Sequence, residues 1–250
     1  MADAPRLQGR IALITGASRG IGAAVAKRFA VEGARLVLAA RTVGGLEETD
    51  DAVRKTGGSP ATLVPLDITD GAAVDQLGGA LHQKFGRLDI LVGNAASLGE
   101  LSPVGHIEPK TWDATVAVNL TANYRLIRSL DPLLRLSDAG RAIFVSSGAA
   151  RGSAAFWGAY AATKAGLETL VKCYAAEMRN STVRANIVDP GAQRTRMRAH
   201  AFPGEDPMTL PAPEEMTGVF VDLAEAACDR TGEIVRAYRH PAAHASTGSA

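Results

Sequence analysis

The 250-residue chain predicts an α/β fold, a doubly wound parallel sheet of about seven strands with helices on both faces. Three observations carry this prediction. Short apolar runs alternate with longer amphipathic or alanine-rich runs along nearly the whole chain, the pattern of repeated βαβ units. Runs such as RLVLAA and DILV are apolar at every position, so these strands are covered on both faces, as in a parallel sheet. A composition of 46% hydrophobic and 21% charged residues supports a sizeable core in one domain over 1–250.

Taken in order, residues 10–15, 35–40, 61–66 and 89–92 read as strands, with helices at 21–32, 46–55 and 72–85 between them. Pro109 suits a first helical turn and opens a helix through 134, in which Asp131-Pro132 is expected to kink or interrupt the last turns. Strand 141–145 follows. Strong helix formers then fill 154–178, and strand 183–188 comes next. Residues 196–213, rich in proline and polar side chains, read as a short lid and not a further helix pair. A last helix at 214–228, a short strand at 233–237 and a loose tail at 240–250 complete the chain.

Two stretches carry chemistry. In IALITGASRGIG, Gly16, Gly20 and Gly22 lie directly after an apolar strand and before a helical pattern. Glycines there permit a tight turn, and the helix N-terminus offers free N–H groups to a pyrophosphate, so the order strand, glycines, helix predicts a dinucleotide site. In SSGAARGSAAFWGAYAATK, Tyr160 and Lys164 are four residues apart on one helical face, and Ser147 stands at the end of the strand before them. A phenol ionises near pH ~10 in water, so a neighbouring cation such as Lys164 is expected to lower its pKa. Ser147 is placed to hold a substrate oxygen.

Together Thr15-Gly16-Ala17-Ser18-Arg19-Gly20-Ile21-Gly22, Ser147 and Tyr160 with Lys164 resemble the short-chain dehydrogenase/reductase family, over about residues 10–238. The resemblance implies a Rossmann fold and a soluble, cytoplasmic oxidoreductase that exchanges a hydride between a nicotinamide cofactor and a carbonyl or secondary alcohol. Catalysis would fall to Ser147, Tyr160, Lys164 and Asn119, whose backbone carbonyl would hold a water linking Lys164 to solvent. The cofactor would meet Gly16, Ser18, Arg19, Gly20, Ile21 and Gly22 at the turn, and Asp67 and Ile68 at the adenine. Asn94 and Ala95 would line the ribose, with Tyr160 and Lys164 beyond. Pro190, Gly191, the backbone of Gln193, and Thr195 would take the nicotinamide end. Arg41 ends the second strand where an acid would select NAD, and with Arg19 it can flank a phosphate, so NADP is expected over NAD. The family's NNAG is here Gly93-Asn94-Ala95-Ala96, which removes one amide and one glycine. The AFP-ED-P segment within 201–207 resembles a bacterial subgroup of that family. A homotetramer or homodimer packed through helices 110–134 and 157–178 is implied as well.

The remaining composition excludes other classes. A net charge of +1 with dispersed arginines points to no nucleic-acid groove and no anionic membrane surface. No apolar run approaches a membrane span, and the N-terminus lacks an apolar signal core. Cys173 and Cys228 form no disulfide framework and read as reduced packing residues. His82, His106, His200, His240 and His244 are scattered, so no metal is expected; His200, on the lid, is the one placed for a pocket role. Phe156, Trp157, Leu98 and Met208 are candidates for an apolar substrate pocket. The alternative reading is a dinucleotide-binding sensor of the same fold without turnover.

Overall fold

A computed structural model describes residues 4–237. The seven strands are β1 (Ile11–Thr15), β2 (Arg35–Ala40), β3 (Thr62–Pro65), β4 (Ile90–Gly93), β5 (Arg141–Val145), β6 (Arg184–Asp189) and β7 (Ile234–Arg236). They form one sheet in the order β3-β2-β1-β4-β5-β6-β7, with every neighbouring pair parallel. The chain winds outward from β1 in one direction and from β4 in the other. A crevice therefore opens between the C-terminal ends of these two strands, where ligands of such sheets bind.

Because side chains alternate across a strand, each strand feeds two cores. Leu13, Leu91, Phe144 and Ile187 face one layer, packed under α3 (Gly71–Phe85), α5 (Ala122–Arg135) and α6 (Gly158–Glu177). Ile14, Val92, Ile143 and Val188 face the other, under α1 (Gly20–Val31), α2 (Val43–Lys55) and α8 (Gly218–Ala224). Two further helices, α4 (Pro109–Val116) and α7 (Arg196–Ala201), flank the sheet's C-terminal edge. No described helix is long and apolar enough to cross a membrane.

The structure departs from the sequence expectation at four points in three helices. The long helix from Pro109 is divided by a π turn, Ala117–Thr121, and Asn119 sits in that turn instead of in regular α-helix. Pro132 lies inside α5 without ending it: proline removes a single donor near the C-terminal end, while Leu130, Leu133 and Leu134 are buried and hold the last turns in place. Helix α6 starts at Gly158, not 154, because Phe156 adopts a left-handed backbone (φ 73°) and its carbonyl accepts from Ser102 N–H at 3.0 Å. The last helix is only Gly218–Ala224, preceded by a 3-10 turn at Pro213–Met216, so Cys228 lies outside it. Its end is drawn off by the buried Arg141 guanidinium, which takes the carbonyls of Glu225 at 3.0 Å and Ala226 at 2.7 Å.

The lid at 196–213 is a short helix, α7, with a 3-10 turn at Pro207–Thr209. Cys173 is exposed on α6 and is therefore no packing residue. The 240–250 tail, with His240 and His244, lies outside the described residues.

Candidate active site

The glycine turn is built by crowding. A Cβ on Gly22 would lie 2.4 Å from Gly16 O and 2.7 Å from Asn94 Nδ2, and one on Gly16 would lie 2.9 Å from Ala95 Cα. Gly16 and Gly20 also have positive φ, 65° and 56°, which side-chain-bearing residues rarely adopt. Thr15, fully buried, pins the turn to the end of β4: its hydroxyl donates to Val92 O and accepts from the N–H groups of Asn94 (3.0 Å) and Ala95 (3.2 Å). Asn94 completes the link by donating its amide to Thr15 O at 2.9 Å.

Helix α1 begins there with Arg19 as N-cap, no side chain capping its N–H groups and no acid in its first turn. Its open donors and positive dipole end make an anion site. Ser18 is half-buried, Arg19 exposed and Ile21 half-buried at its rim.

Arg41 follows β2 and is exposed, close enough to Asp67 to help hold its carboxyl below the ordinary range. The main cause of that depression is the Thr69 N–H and hydroxyl, which donate to Asp67 Oδ1 at 2.9 and 2.7 Å. Asp70 caps α3, so Asp67 keeps its other oxygen for a ligand. Ile68 is buried, which leaves its backbone as the group to offer.

Position 93 is glycine for a packing reason. A Cβ there would stand 2.4 Å from Phe144 Cδ1 and 2.8 Å from Asn123 Oδ1, so the space of the absent amide is filled by Phe144 and Asn123. Asn123, almost fully buried, donates to Asn119 O at 2.8 Å. Asn119 is fully buried; its side chain pairs with both backbone groups of Ser97, at 2.8 Å each, and donates to Thr163 Oγ1 at 3.0 Å. The π turn thus stitches the loop after β4 to α6, three residues past Tyr160.

Ser147, Tyr160 and Lys164 come together at the C-terminal ends of β5 and β6. The Ser147 hydroxyl lies close enough to the Tyr160 phenol to act on its ionisation, and it accepts from Ala149 N–H at 3.2 Å. Burial pushes the phenol up to about 12, the Ser147 hydroxyl opposes this, and Asp189 adds to it. The net shift of the phenol is upward, opposite to the lowering expected from Lys164. The ammonium lies 5.8 Å from the Tyr160 ring centre and donates to Val145 O at 2.7 Å, and burial of the phenol prevails. Lys164 itself is 2% exposed and lowered by burial to about 8, against the pull of Glu168.

After β6, Pro190 is buried and Gly191 turns with φ 67°. Gln193 is 3% exposed; its Nε2 donates to Pro190 O at 2.6 Å while its Oε1 has no partner. Thr195 caps α7 by accepting from Arg198 N–H, which leaves its hydroxyl proton to donate outward.

Trp157 packs edge-on against Tyr160 (5.9 Å) and against Phe202 of the lid (5.8 Å). Phe202 is in turn covered by Arg198 at 3.6 Å, itself paired with Glu205. Of the four residues expected to line an apolar pocket, Trp157 adjoins the phenol, Leu98 is buried, and Phe156 and Met208 stand exposed. Sequence reasoning missed Phe202, Asn123, Arg151, Glu168 and the part played by Asp189, and named Thr15 only within the glycine motif. Glu168 had a signal: a carboxylate one turn after Lys164 on an otherwise apolar helix face. Among the described residues no cluster could hold a metal, and His82, His106 and His200 are exposed.

The likenesses to known proteins agree with this geometry. The family model described as short chain dehydrogenase matches residues 10–206. "Uncharacterized oxidoreductase YciK" of Escherichia coli K12 is 36% identical over 219 residues, 87% of this chain and 86% of that protein. 2,3-Dihydro-2,3-dihydroxybenzoate dehydrogenase of Bacillus subtilis is 33% identical over 78% of this chain and 74% of its own. A short chain dehydrogenase of Escherichia coli CFT073, solved in complex with NADPH, superposes with a TM-score of 0.90 at 34% identity, covering 95% of this chain and all of that one. With the seven-stranded parallel sheet, the glycine turn and the Ser147, Tyr160, Lys164 group, these matches place the chain in the short-chain dehydrogenase family of oxidoreductases.

Proposed function

We propose that the protein is an NADP(H)-dependent oxidoreductase that reduces a carbonyl to a secondary alcohol, with Ser147, Tyr160 and Lys164 as its catalytic residues. The observation that carries this is the neighbouring Ser147 hydroxyl and Tyr160 phenol beside a buried ammonium at the sheet's C-terminal edge. Gly16, Ser18, Gly20, Ile21 and Gly22 would hold the cofactor's pyrophosphate, and Arg19 and Arg41 the adenosine phosphate. Asp67 and Ile68 would take the adenine, Asn94 and Ala95 the ribose, and Pro190, Gly191, Gln193 and Thr195 the nicotinamide end. NADPH, when bound, supplies a hydride to the carbonyl carbon.

The chain's own residues handle the oxygen and the proton. Ser147 donates a hydrogen bond to the substrate oxygen. With a pKa near 12, Tyr160 is protonated throughout the physiological range, so it stands ready to give its proton to that oxygen as negative charge develops there. The charge of Lys164 stabilises the phenolate left behind, and Asn119 holds the loop after β4 against Thr163, next to the reacting residues. Trp157 and Phe202 exclude water from one side.

Oxidation of NADPH by the purified protein over a panel of aldehydes, ketones, quinones and ketoacyl thioesters tests the reading. Turnover is expected with at least one class, whereas NADPH binding without turnover throughout would favour the sensor. Arg41→Ala is expected to weaken NADPH binding about 10- to 100-fold, the worth of a charged hydrogen bond of roughly 1.5–3 kcal/mol, and to leave NADH binding unchanged. Equal losses for both cofactors would place the phosphate elsewhere.

A homodimer or homotetramer through the outer faces of α4, α5 and α6 is part of the same proposal, supported by Trp112 and Tyr124, which are 39% and 51% exposed on these elements. A monomer mass in solution would overturn it.

A further inference from the structure

Arg151 closes the 3-10 turn Gly148–Arg151, which starts at Ser147. Its guanidinium spans two carboxylates, pairing through Nη1 with Glu168 Oε1 and through Nη2 with Asp189 Oδ2. Both acids are buried, at 5% and 6% exposure. Glu168 lies one turn beyond Lys164 on α6 and accepts the Ser146 hydroxyl at 2.7 Å. Asp189 ends β6 and accepts Gly191 N–H at 3.1 Å. Two desolvated carboxylates this close to one site are tolerated only with a cation between them, and the planar fork of arginine can serve both at once.

Three segments that carry site residues therefore meet at one side chain: the turn from Ser147, the helix of Tyr160 and Lys164, and the turn through Pro190 and Gly191. The charged groups acting on the Tyr160–Lys164 pair are Glu168 from α6 and Asp189 from β6, both paired with Arg151 of the 3-10 turn. The π turn contributes only the uncharged Asn119, through Thr163.

We propose that Arg151 is a positioning residue of the acid/base site: strapped across Glu168 and Asp189, it fixes the Ser147 turn against α6 and β6 and screens both carboxylates from Tyr160 and Lys164. Its functional meaning rests on Tyr160 and Lys164 being the acid/base pair, but its test does not. Asp189 drives the Tyr160 phenol upward and Glu168 drives Lys164 upward, so loss of the guanidinium strengthens both effects.

The test is a pH titration of Lys164 by NMR in protein labelled with 13C at the lysine ε carbon, with the resonance assigned by its loss in Lys164→Met. In the unaltered protein the midpoint is expected near 8. Arg151→Met is expected to raise it by about one unit, a tenfold change in acid dissociation, and Arg151→Lys to return most of that shift. A folded Arg151→Met protein with an unmoved midpoint would overturn the proposal. If Arg151→Met does not fold, Arg151→Gln, which keeps a hydrogen-bond donor and removes the charge, decides: it is expected to raise the midpoint likewise, and an unmoved value overturns the proposal. Titration uses no turnover. A shifted Lys164 midpoint in a protein whose Tyr160→Phe variant keeps full activity would sink the acid/base reading and leave the role of Arg151 standing.

Discussion

Tyr160→Phe is expected to lower turnover by roughly 10²–10⁴-fold, the usual worth of a positioned general acid, while NADPH binding is retained. The variant keeps the ring that packs against Trp157 and removes only the hydroxyl near Ser147, so the fold has little reason to respond. Steady-state rates alongside a binding titration check it. Loss of binding together with rate would mean that the ring, not the proton, is what the site uses, and undiminished turnover would remove Tyr160 from the chemistry.

Lys164→Met gives the other large effect, and it has two opposite parts. Turnover is expected to fall by a similar roughly 10²–10⁴-fold, because Arg151, the other cation at the site, is already tied to Glu168 and Asp189. Stability is expected to hold or rise. Burial takes the ammonium from 10.5 to about 8. That shift corresponds to about 3 kcal/mol of destabilisation by the charged form. Against this stands the Val145 carbonyl, which loses its 2.7 Å donor at a cost of about 1–3 kcal/mol. The balance favours methionine by on the order of 1 kcal/mol, or about 2–4 °C in Tm at this size.

The pH dependence fixes the sign. The folded-state value lies below the unfolded one, so between about 8 and 10.5 the unfolded chain binds more protons. The native protein therefore gains stability as pH rises through that window and bears the full penalty below it. Denaturation of both proteins at pH 7 and pH 10 shows whether the variant lacks this gain. The reduction rate is expected to fall as pH rises through about 8, when Lys164 loses its charge.

How much of this was legible before the structure depended on how local each determinant is. β1, β2, β5 and the glycine turn were readable because short, wholly apolar runs and tight-turn chemistry act within a few residues, and the Tyr160–Lys164 spacing is fixed by one helical turn. The π turn at Ala117–Thr121 was not, because one extra residue in a helix hardly disturbs its apolar pattern. Gly93 could be seen to depart from the family pattern, but its reason, the Phe144 ring and Asn123, arrives from β5 and α5. The end of α8 is set by an arginine on another strand, Arg141. The strap from Arg151 to Glu168 and Asp189 joins residues 17 and 38 positions apart, which only the parallel sheet makes neighbours. The raised phenol depends on burial, which no spacing reveals.

The most direct measurement of the central claim is isotope transfer. With NADPH deuterated at both C4 positions and any carbonyl the protein turns over, the product alcohol is expected to carry one deuterium on the carbon bearing oxygen, with the hydroxyl proton drawn from solvent. Tyr160→Phe should slow its appearance without moving the label. A product with no deuterium at that carbon would contradict hydride transfer to the carbonyl, and with it the function proposed for Ser147, Tyr160 and Lys164.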